Sequence, residues 1–308
     1  MPAFVGHDRL NIPMLFTLAN LSDPHLAPLP EPRWQELINK RVTGYINWQR
    51  RRRFIHDPAV LAKIVADLQA HAPDHTAVTG DIANIGLAEE FVRGREWLES
   101  LGTPDTVTYI PGNHDAYVRA AAHDLERCWG DYMRDDDGAG GFPFVRRRGP
   151  LALIGLSTAV PTAWGLATGR LGQAQCARLG DALAALAREN VFRVVLIHHP
   201  PVSRARWYKL LTDSAQFLHV LSAHGAELVL HGHDHLHMIN WLSGPNGTRV
   251  PAVGVPSASA APGRAKNAAA YNLYRIDGMP GAWRCELISR GLDRAGEVAE
   301  QMRVTIYG

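Results

Sequence analysis

The chain has 308 residues, of which 46% are hydrophobic and 20% are charged, and its formal net charge is +2. This length suits one large α/β core or two smaller domains. Because a nucleic-acid-binding protein usually carries a clear excess of basic residues, the near balance of charge argues against that class, and no nucleic-acid partner is expected.

Individual segments of the sequence argue against secretion and membrane insertion. The first 26 residues lack the basic stretch and uninterrupted apolar run of a secretory leader. The longest segment without charge, residues 149–169, contains prolines and several glycines and does not suit a membrane-spanning helix. Cys128, Cys176 and Cys285 form no C-x-x-C pair, which predicts reduced thiols rather than a cysteine zinc site. We therefore expect a cytoplasmic protein.

From LFTLAN onward, apolar runs of strand length alternate with helical patterns. LFTLAN itself, residues 15–20, predicts the first strand. Asp57 and Pro58 supply an N-cap and a first-turn proline for a helix whose apolar residues recur at helical spacing. TAVTG, residues 76–80, predicts the next strand, and a second helix follows with Gly102 placed to end it.

The pattern changes after Gly232. Before it, TVTYIPG, LALIGLST, FRVVLIHHP and ELVLHG predict the third to sixth strands, and a helix through Leu179 and Leu183 precedes the fifth. After it, RVPAVGVPSAS, AYNLYRIDG and AWRCELISRG predict consecutive strands with no amphipathic helix between them. Repeated βα units followed by an antiparallel region indicate a two-sheet α/β sandwich rather than one doubly wound sheet.

Polar residues follow five of the predicted strands. Ligands of an open α/β sheet bind at the carboxyl ends of its strands, and a glycine beside several of these residues permits a tight turn. In chain order, the polar residues are Asp23, His25, Asp81, Asn84, Asn113, His114, Asp115, His198, His199, His231, His233, Asp234 and His235. Each motif is weak alone, but their joint occurrence at strand ends indicates one site.

The residue types at these strand ends suit metal ions. Oxygen from Asp and Asn and nitrogen from His, without sulfur, fit hard-to-borderline divalent cations. One tetrahedral zinc needs four ligands, whereas at least seven candidates converge here, so two cations are the natural number. A carboxylate such as Asp81 can bridge two ions about 3.5 to 4 Å apart, as in sites that act on phosphate esters. We expect Mn, Fe, Zn or Mg, with Mn or Fe favoured.

These motifs resemble those of the calcineurin-like metallophosphoesterase family, whose pattern is D-x-H, G-D, G-N-H-[DE], H and G-H-x-H. All five blocks occur in order between Asp23 and His235. The HHPP and GVPSAS segments are most similar to the cyclic-nucleotide and glycerophosphodiester phosphodiesterase branch. The resemblance implies one domain over residues 1–308, folded as a four-layer αββα sandwich of two mixed sheets, with a phosphoesterase site at the strand ends.

The resemblance also implies a role for each residue of the blocks. One cation would be bound by Asp23, His25, Asp81 and His235, and the other by Asp81, Asn113, His198 and His233. His198 is chosen over His199 because the family pattern is H-x-P. His114, positioned by Asp115, would lie on the leaving-group side, while a hydroxide between the cations attacks phosphorus in line.

Residues around the blocks leave alternatives open. Asn84, His199 and Arg204 are candidate substrate contacts, although Asn84 equally suits a turn. Three further residues either orient the ligating imidazoles or have only packing or surface roles: His231, Asp234 and His237.

Two segments are expected to be additions to the shared fold. A basic, aromatic-rich stretch near residues 30–56 contains Arg50 to Arg53. It predicts a helical insertion with a solvated basic face, a surface attracted to anionic lipid, or a contact to a large anionic substrate. Residues 203–224 leave a strand that ends in a candidate ligand, and they predict a cap-like segment that influences substrate choice.

Three functions are compatible with these features. The first is a dinuclear phosphohydrolase, most simply a phosphodiesterase, acting on a small or lipid-linked phosphate ester. The second hydrolyses a lipid-linked phosphate or pyrophosphate at the inner membrane face, with peripheral contact to anionic lipid. The third is a non-catalytic metal-binding scaffold, as some proteins of this fold family become after losing ligands, although every expected ligand is present here. The sequence carries no signal for oligomeric state.

Overall fold

A computed structural model describes residues 15–308. The first part of the segment that argues against a secretory leader lies outside the described residues. Within them the chain forms two six-stranded sheets packed face to face, with helices on the outer faces. Both sheets mix parallel and antiparallel strands, so the expected α/β sandwich of two mixed sheets is confirmed.

The first sheet joins the N-terminal strands to the C-terminal ones. Its strands are β1 (Phe16–Leu21), β2 (His75–Val78), β3 (Val107–Tyr109), β10 (Ala270–Asp277), β11 (Arg284–Leu292) and β12 (Val298–Tyr307). They are ordered β12-β11-β10-β1-β2-β3. Because β1, β2 and β3 run parallel, their carboxyl ends meet at one edge of this sheet.

The second sheet is built from the middle of the chain. Its strands are β4 (Phe144–Arg148), β5 (Leu151–Gly155), β6 (Phe192–Leu196), β7 (Leu228–His231), β8 (Met238–Ser243) and β9 (Arg249–Gly254). The order is β4-β5-β6-β7-β9-β8, with antiparallel strands only at the two edges.

The strand β9 corrects one expectation. It was assigned to an antiparallel C-terminal region, but it is antiparallel only to β8 and pairs in parallel with β7, where Val229 lies opposite Ala252. The physical reason is its burial: residues 250–254 are all buried, as is typical of an interior parallel strand covered on both faces. The antiparallel prediction holds for β10 to β12.

Residues 15–308 form six α-helices. They are α1 (Arg41–Arg50), α2 (Pro58–Ala70), α3 (Ala88–Leu101), α4 (Ala121–Trp129), α5 (Gln173–Leu186) and α6 (Ser214–His224). Asp57 caps α2, since its carboxylate accepts a hydrogen bond from the amide of Ala59 at 2.8 Å. Gly102 follows α3, as the sequence predicts.

The alternation of side chains along β5 shows where the two cores lie. Leu151 and Leu153 point between the sheets into the larger core, which also takes in side chains of α2, α3 and α4. Ala152 and Ile154 point outward into a second core beneath α5 and α6. The three cysteines are buried free thiols, and no helix within residues 15–308 is both long and apolar enough to cross a membrane.

Candidate metal centre

The carboxyl ends of β1, β2, β3, β6 and β7 meet where the two sheets adjoin. The imidazole of His198, after β6, donates from Nδ1 to the carbonyl of Thr79, after β2, at 2.7 Å. The amide of His233, after β7, donates to Oδ2 of Asp23, after β1, at 3.0 Å. These bonds join the two sheets at the site and fix the relative position of their loops.

Six of the seven predicted metal-ligand residues fall into two clusters. The atoms that each residue offers to a cation lie within 4.8 Å of one another in both clusters, which are Asp23, His25 and His235, and Asp81, His198 and His233. The seventh residue, Asn113, lies beside the second cluster, with Oδ1 at 3.3 Å from Nε2 of His198. The sequence blocks thus converge in space as expected.

Asp81 lies between the two clusters. Its Oδ2 is 3.8 Å from Nε2 of His25 in the first cluster and 3.4 Å from Nε2 of His198 in the second. Its Oδ1 accepts a hydrogen bond from the amide of His114 at 2.8 Å. One oxygen of this carboxylate is therefore held by the backbone, while the other faces both groups of candidate ligands.

The backbone is strained at this site. Five of the predicted ligands have positive φ angles although none is glycine: Asp23 (52°), His25 (38°), Asp81 (59°), His233 (66°) and His235 (54°). Such conformations cost free energy and persist only where surrounding contacts enforce them, which is common at functional sites. Hydrogen bonds from the amide of Asp23 to Gly80 and from that of His25 to Asp81 supply part of that enforcement.

Gly112 makes the close approach of two loops possible. A Cβ atom at this position would overlap the carboxylate of Asp81. The glycine of the G-N-H-D block is therefore required by the position of the acid that the two clusters share, and not only by a turn.

The histidines present one ring nitrogen each to the site. Nδ1 of His25 faces the carbonyl of Ala83 at 3.2 Å, and Nε2 of His233 faces that of Lys209 at 2.9 Å. A carbonyl partner fixes the tautomer and leaves the other nitrogen with a lone pair, the form that binds metals. Nε2 of His25 is fully buried without a hydrogen-bond partner, which a bound cation would remedy.

The electrostatics of the site also favour a cation. Burial lowers the pKa of the His25 and His233 imidazoles well below the usual range, so both are neutral. At His198 burial opposes protonation, but the charge and hydrogen bond of Asp81 prevail and raise its pKa to about 10. The buried carboxylates thus draw positive charge into the site, and divalent metal ions would supply it.

The model of the calcineurin-like phosphoesterase family matches residues 16–237. The chain belongs to this family. The family implies divalent metal ions, for which the two clusters offer suitable ligands.

Known proteins similar to this phosphoesterase agree with that assignment. A protein of Synechococcus sp. described as a probable cyclic nucleotide phosphodiesterase is 29% identical over 178 residues, which cover 56% of this chain and 62% of that protein. The chain thus spans less than two thirds of that relative's length.

Two solved structures share the fold. A dimetal phosphatase from Danio rerio has a TM-score of 0.60 at 14% identity, covering 94% of this chain and 98% of that chain. A purple acid phosphatase from yellow lupin seeds has a TM-score of 0.62 at 12% identity, covering 95% of this chain and 54% of that chain. At these identities the likeness shows the architecture alone.

His114 of the phosphoesterase lies at the edge of the metal centre. Its Nδ1 contacts the carbonyl of Asn84 at 2.5 Å, and its Nε2 lies 2.8 Å from Nη1 of Arg52. Its ring meets that of His25 edge-on, with centroids 5.0 Å apart. Burial, and then the charge of Arg52, lower the pKa of His114 to about 3.

Asp115 has a different place from the one expected. It was assigned to position the His114 ring, but its carboxylate accepts hydrogen bonds from the amides of Asp81, Ala83 and Gly112 and from the hydroxyl of Tyr109. Burial and the charge of Asp81 raise its pKa to about 7, against which these four donors stabilise the carboxylate. Asp115 holds the backbone that carries the ligands.

Two of the three candidate substrate contacts are placed inside the protein. Asn84 is buried; its side-chain amide donates to the carbonyl of Leu26 at 2.8 Å, and its Oδ1 has no hydrogen-bond partner among the described residues. His199 is buried with Nδ1 at 2.7 Å from Thr158 and Nε2 at 3.2 Å from the carbonyl of Ala167, so neither nitrogen faces a substrate. Arg204 lines a second cavity, which adjoins the cavity over the predicted metal ligands.

The structure places the three residues whose roles the sequence left open in three different surroundings. Asp234 lines the cavity over the ligands and accepts a hydrogen bond from Ser203 at 2.6 Å. His231 is buried under the site, whereas His237 faces Gln301 at 3.1 Å, away from the ligands.

The cavity over the ligands has a volume of about 530 Å³, and the two added segments supply part of its walls. Residues 30–56 form α1 between two short 3₁₀ helices and supply eight lining residues, among them Arg52 and His56. Of residues 203–224, only Tyr208 and Lys209 reach this cavity, because α6 packs into the outer core through Phe217 and Leu221 instead.

His56 is a site residue that the motifs did not reveal. Its ring centroid lies 4.5 Å from that of His25, and it stacks on Trp48 at 6.4 Å. Its Nδ1 contacts Ser259 at 2.9 Å. The only signal in the sequence was a histidine directly before the N-cap of α2, at the end of a basic stretch.

Proposed function

We propose that this protein is a dinuclear metal-dependent phosphodiesterase. The observation that carries the proposal is the position of Asp81, whose Oδ2 faces both clusters of candidate ligands. A carboxylate shared in this way is what two closely spaced cations require. The likeness to a probable cyclic nucleotide phosphodiesterase supports a diester over a monoester substrate.

The proposed ligand sets follow the two clusters. One cation is bound by Asp23, His25, Asp81 and His235, and the other by Asp81, Asn113, His198 and His233. All ligand atoms are oxygen or nitrogen, which can bind Mn, Fe, Zn or Mg, and we favour Mn or Fe. With both sets complete, a non-catalytic scaffold has no support. A cytoplasmic location stays a prediction.

Bound cations would supply an activated water for in-line attack on phosphorus and neutralise charge on the phosphoryl oxygens. The side chains do the rest. The carbonyl of Asn84 accepts a hydrogen bond from Nδ1 of His114, which leaves Nε2 as the acceptor of the ring, 2.8 Å from Nη1 of Arg52. A proton gained at Nε2 would allow His114 to donate to the leaving-group oxygen. Asp115 keeps the Asp81 loop in place through hydrogen bonds from the amides of Asp81 and Ala83, and a third bond from the amide of Gly112 ties it to the loop after β3.

The test is a metal titration followed by an activity assay. Protein stripped with a chelator and titrated calorimetrically with Mn²⁺ should bind two equivalents. It should then hydrolyse bis(p-nitrophenyl) phosphate. Asp81→Asn should bind fewer than two equivalents and lose at least about 10³-fold in kcat/KM, since both cations lose a ligand.

The matched control is Asp181→Asn, because Asp181 is an exposed carboxylate on α5. It should keep both metal equivalents and the wild-type rate. An Asp81→Asn protein that retains two equivalents and full turnover would rule out the shared carboxylate and with it the dinuclear assignment.

A lipid-linked substrate at a membrane surface is the second candidate. The two added segments expose large apolar side chains to solvent: Trp34 is 70% exposed, Ile38 69% and Trp207 73%. Basic residues accompany them, which suits anionic lipid. The double variant Trp34→Ser/Trp207→Ser should then pellet less with phosphatidylserine vesicles than the wild type, whereas Trp241→Ser, distant on β8, should not. Wild-type protein that never pellets excludes this candidate.

A further inference from the structure

The cavity over the metal centre is lined by more positive than negative side chains. Five lysines and arginines line it against two aspartates, the cations being Lys40, Arg51, Arg52, Lys209 and Lys266. The whole chain carries a formal charge of only +2. The positive charge is therefore concentrated at this cavity.

None of these five cations has an acidic partner within residues 15–308. No carboxylate of the described chain lies within 4.0 Å of their nitrogens, although 21 such pairs form elsewhere or among the site histidines. Of the two lining aspartates, Asp81 faces the ligand clusters and Asp234 accepts from Ser203. The charges of these lysines and arginines are therefore available to an anion that enters the cavity.

Lys40 is held in place by neutral groups only. Its Nζ donates to Oγ1 of Thr162 at 2.5 Å and to the carbonyl of Leu166 at 2.9 Å, and it lies 4.6 Å above the ring of Tyr117. Burial lowers its pKa to about 8, a cost that a bound anion would offset. Its partners aim the ammonium into the cavity without neutralising it.

Arg52 lies closer to the metal centre than Lys40. Its Nη1 approaches both ring nitrogens of His114, at 3.0 and 2.8 Å. The ring of His114 in turn stacks on Tyr117, with centroids 5.6 Å apart. Arg52, His114, Tyr117 and Lys40 thus form a continuous wall, with a cation at each end.

We propose that Lys40 and Arg52 form a second anion subsite beside the metal centre, which binds a further phosphate or carboxylate group of the phosphoester substrate. The proposal rests on the proposed function, because the subsite is defined relative to the reacting phosphoryl group. It names the substrate class as a phosphoester with at least one anionic group besides the one that is cleaved.

The amount of charge supports this class. A simple phosphodiester carries one negative charge, which cations bound at the metal centre would already neutralise. Unpaired cations that line a half-enclosed cavity repel each other and attract anions more strongly than the same charges in open water. A guanidinium and an ammonium both match anionic oxygens, so phosphate and carboxylate are equivalent ligands at this level of the chemistry.

Binding to the metal-free protein tests the subsite apart from catalysis. With a chelator present, inorganic pyrophosphate should bind to the wild type in a calorimetric titration. Lys40→Met and Arg52→Gln should each weaken that affinity about tenfold, as expected for the loss of one partly desolvated ion pair. The matched control is Arg50→Gln, an exposed arginine of the same segment that does not line the cavity, and its affinity should equal that of the wild type.

Kinetics then test the substrate class with three diesters that all release p-nitrophenol. Their second substituents are ethyl, 2-carboxyethyl and 2-phosphonoethyl. The two charged diesters should exceed the ethyl diester in kcat/KM, mainly through KM, and both variants should reduce this preference. The 2-carboxyethyl and 2-phosphonoethyl arms show which anion the subsite prefers.

The outcomes separate this proposal from the proposed function. Absent pyrophosphate binding, or equal affinity in wild type and both variants, overturns the subsite. Wild-type protein that hydrolyses the ethyl diester as fast as the charged ones also overturns it, while leaving the phosphodiesterase intact. Failure to hydrolyse any of the three diesters with Mn²⁺ would instead contradict the proposed function. Thermal unfolding of each variant confirms that it is folded.

Discussion

At the floor of the cavity, Asp23 and Asp81 are 0% and 2% exposed, and backbone hydrogen bonds join the loops that carry them. At the rim, Arg51 and Lys209 are exposed, and Trp207 is 73% exposed. The floor joins two sheets through bonds between buried side chains and backbone, such as that from Nδ1 of His198 to the carbonyl of Thr79. The rim is attached both through side chains, such as the bond from Lys40 to Thr162, and through backbone bonds, such as that from the amide of Ala167 to the carbonyl of Tyr208.

This difference separates two tasks. The floor must hold several ligands at fixed distances, so it uses buried groups and strained backbone that tolerate little change. The rim must meet a substrate, so it keeps charge and aromatic surface accessible. Substitutions at the floor should therefore affect metal binding and stability together, whereas substitutions at the rim should affect substrate choice and leave stability almost unchanged.

The largest effect is expected from Gly112→Ala at the floor. The added methyl group overlaps the Asp81 carboxylate, so the acid must move away from both clusters. We expect loss of at least one metal equivalent and a fall of at least about 100-fold in kcat/KM, since small misplacements at a catalytic site are costly. Circular dichroism should still show a folded protein.

The control for this variant is Gly140→Ala, because a Cβ atom at Gly140 meets no atom within 4 Å and its φ is not positive. It should behave as wild type. Normal metal stoichiometry in Gly112→Ala would show that the floor yields more easily than its packing indicates.

A second floor variant, Asp115→Asn, should act on stability. Its carboxylate accepts three amide hydrogen bonds and one from Tyr109, and an amide nitrogen at that position would face donors. We expect the free energy of unfolding to fall by about 3 kcal/mol, measured by urea denaturation. Asp137→Asn is the control, since Asp137 accepts one amide bond in an exposed loop. Equal losses in the two variants would contradict the distinction between floor and surface.

The floor could be predicted from the sequence because its chemistry is local. Each ligand follows a strand within a few residues, and parallel strands bring their carboxyl ends together whatever the loops do. The same reasoning failed for Asp115, which was paired with its neighbour His114. Its carboxylate instead turns back to amides of the β2 loop, more than 30 residues earlier, and no local pattern encodes that direction.

The rim could not be predicted residue by residue. Arg50 to Arg53 looked equivalent as a basic run, yet only Arg51 and Arg52 line the cavity. Which of these arginines line the cavity depends on where α1 ends and the short 3₁₀ turn over residues 52–54 begins. Such boundaries are poorly encoded in sequence. Similarly, β9 was grouped with the C-terminal strands that follow it in the chain, but it pairs with β7 and β8 of the second sheet.

The stability of the fold should also respond to pH through His75, which begins β2 and lies at the end of that strand away from the metal centre. Its Nε2 contacts Thr108 at 2.8 Å, and burial lowers its pKa from 6.5 to about 3. Between these values only the unfolded chain binds the proton, so the free energy of unfolding decreases as pH falls below 6.5. In His75→Gln this contribution is missing, and its deficit relative to wild type should shrink by about 1 to 2 kcal/mol between pH 7.5 and 5.0. Urea denaturation at both pH values measures it, and a constant deficit would show that His75 does not titrate on unfolding.

The smallest effect is expected at the rim, from Trp207→Ser. The indole is 73% exposed, and its ring meets that of Tyr208 edge-on, with centroids 5.9 Å apart. Because little apolar surface is withdrawn from water there, the free energy of unfolding should change by less than about 0.5 kcal/mol. Trp129→Ser, at a fully buried tryptophan of α4, is the contrast and should cost several times more. If Trp207→Ser destabilised the protein as strongly as that variant, the rim would belong to the folding core, and its substitutions would no longer report on substrate choice alone.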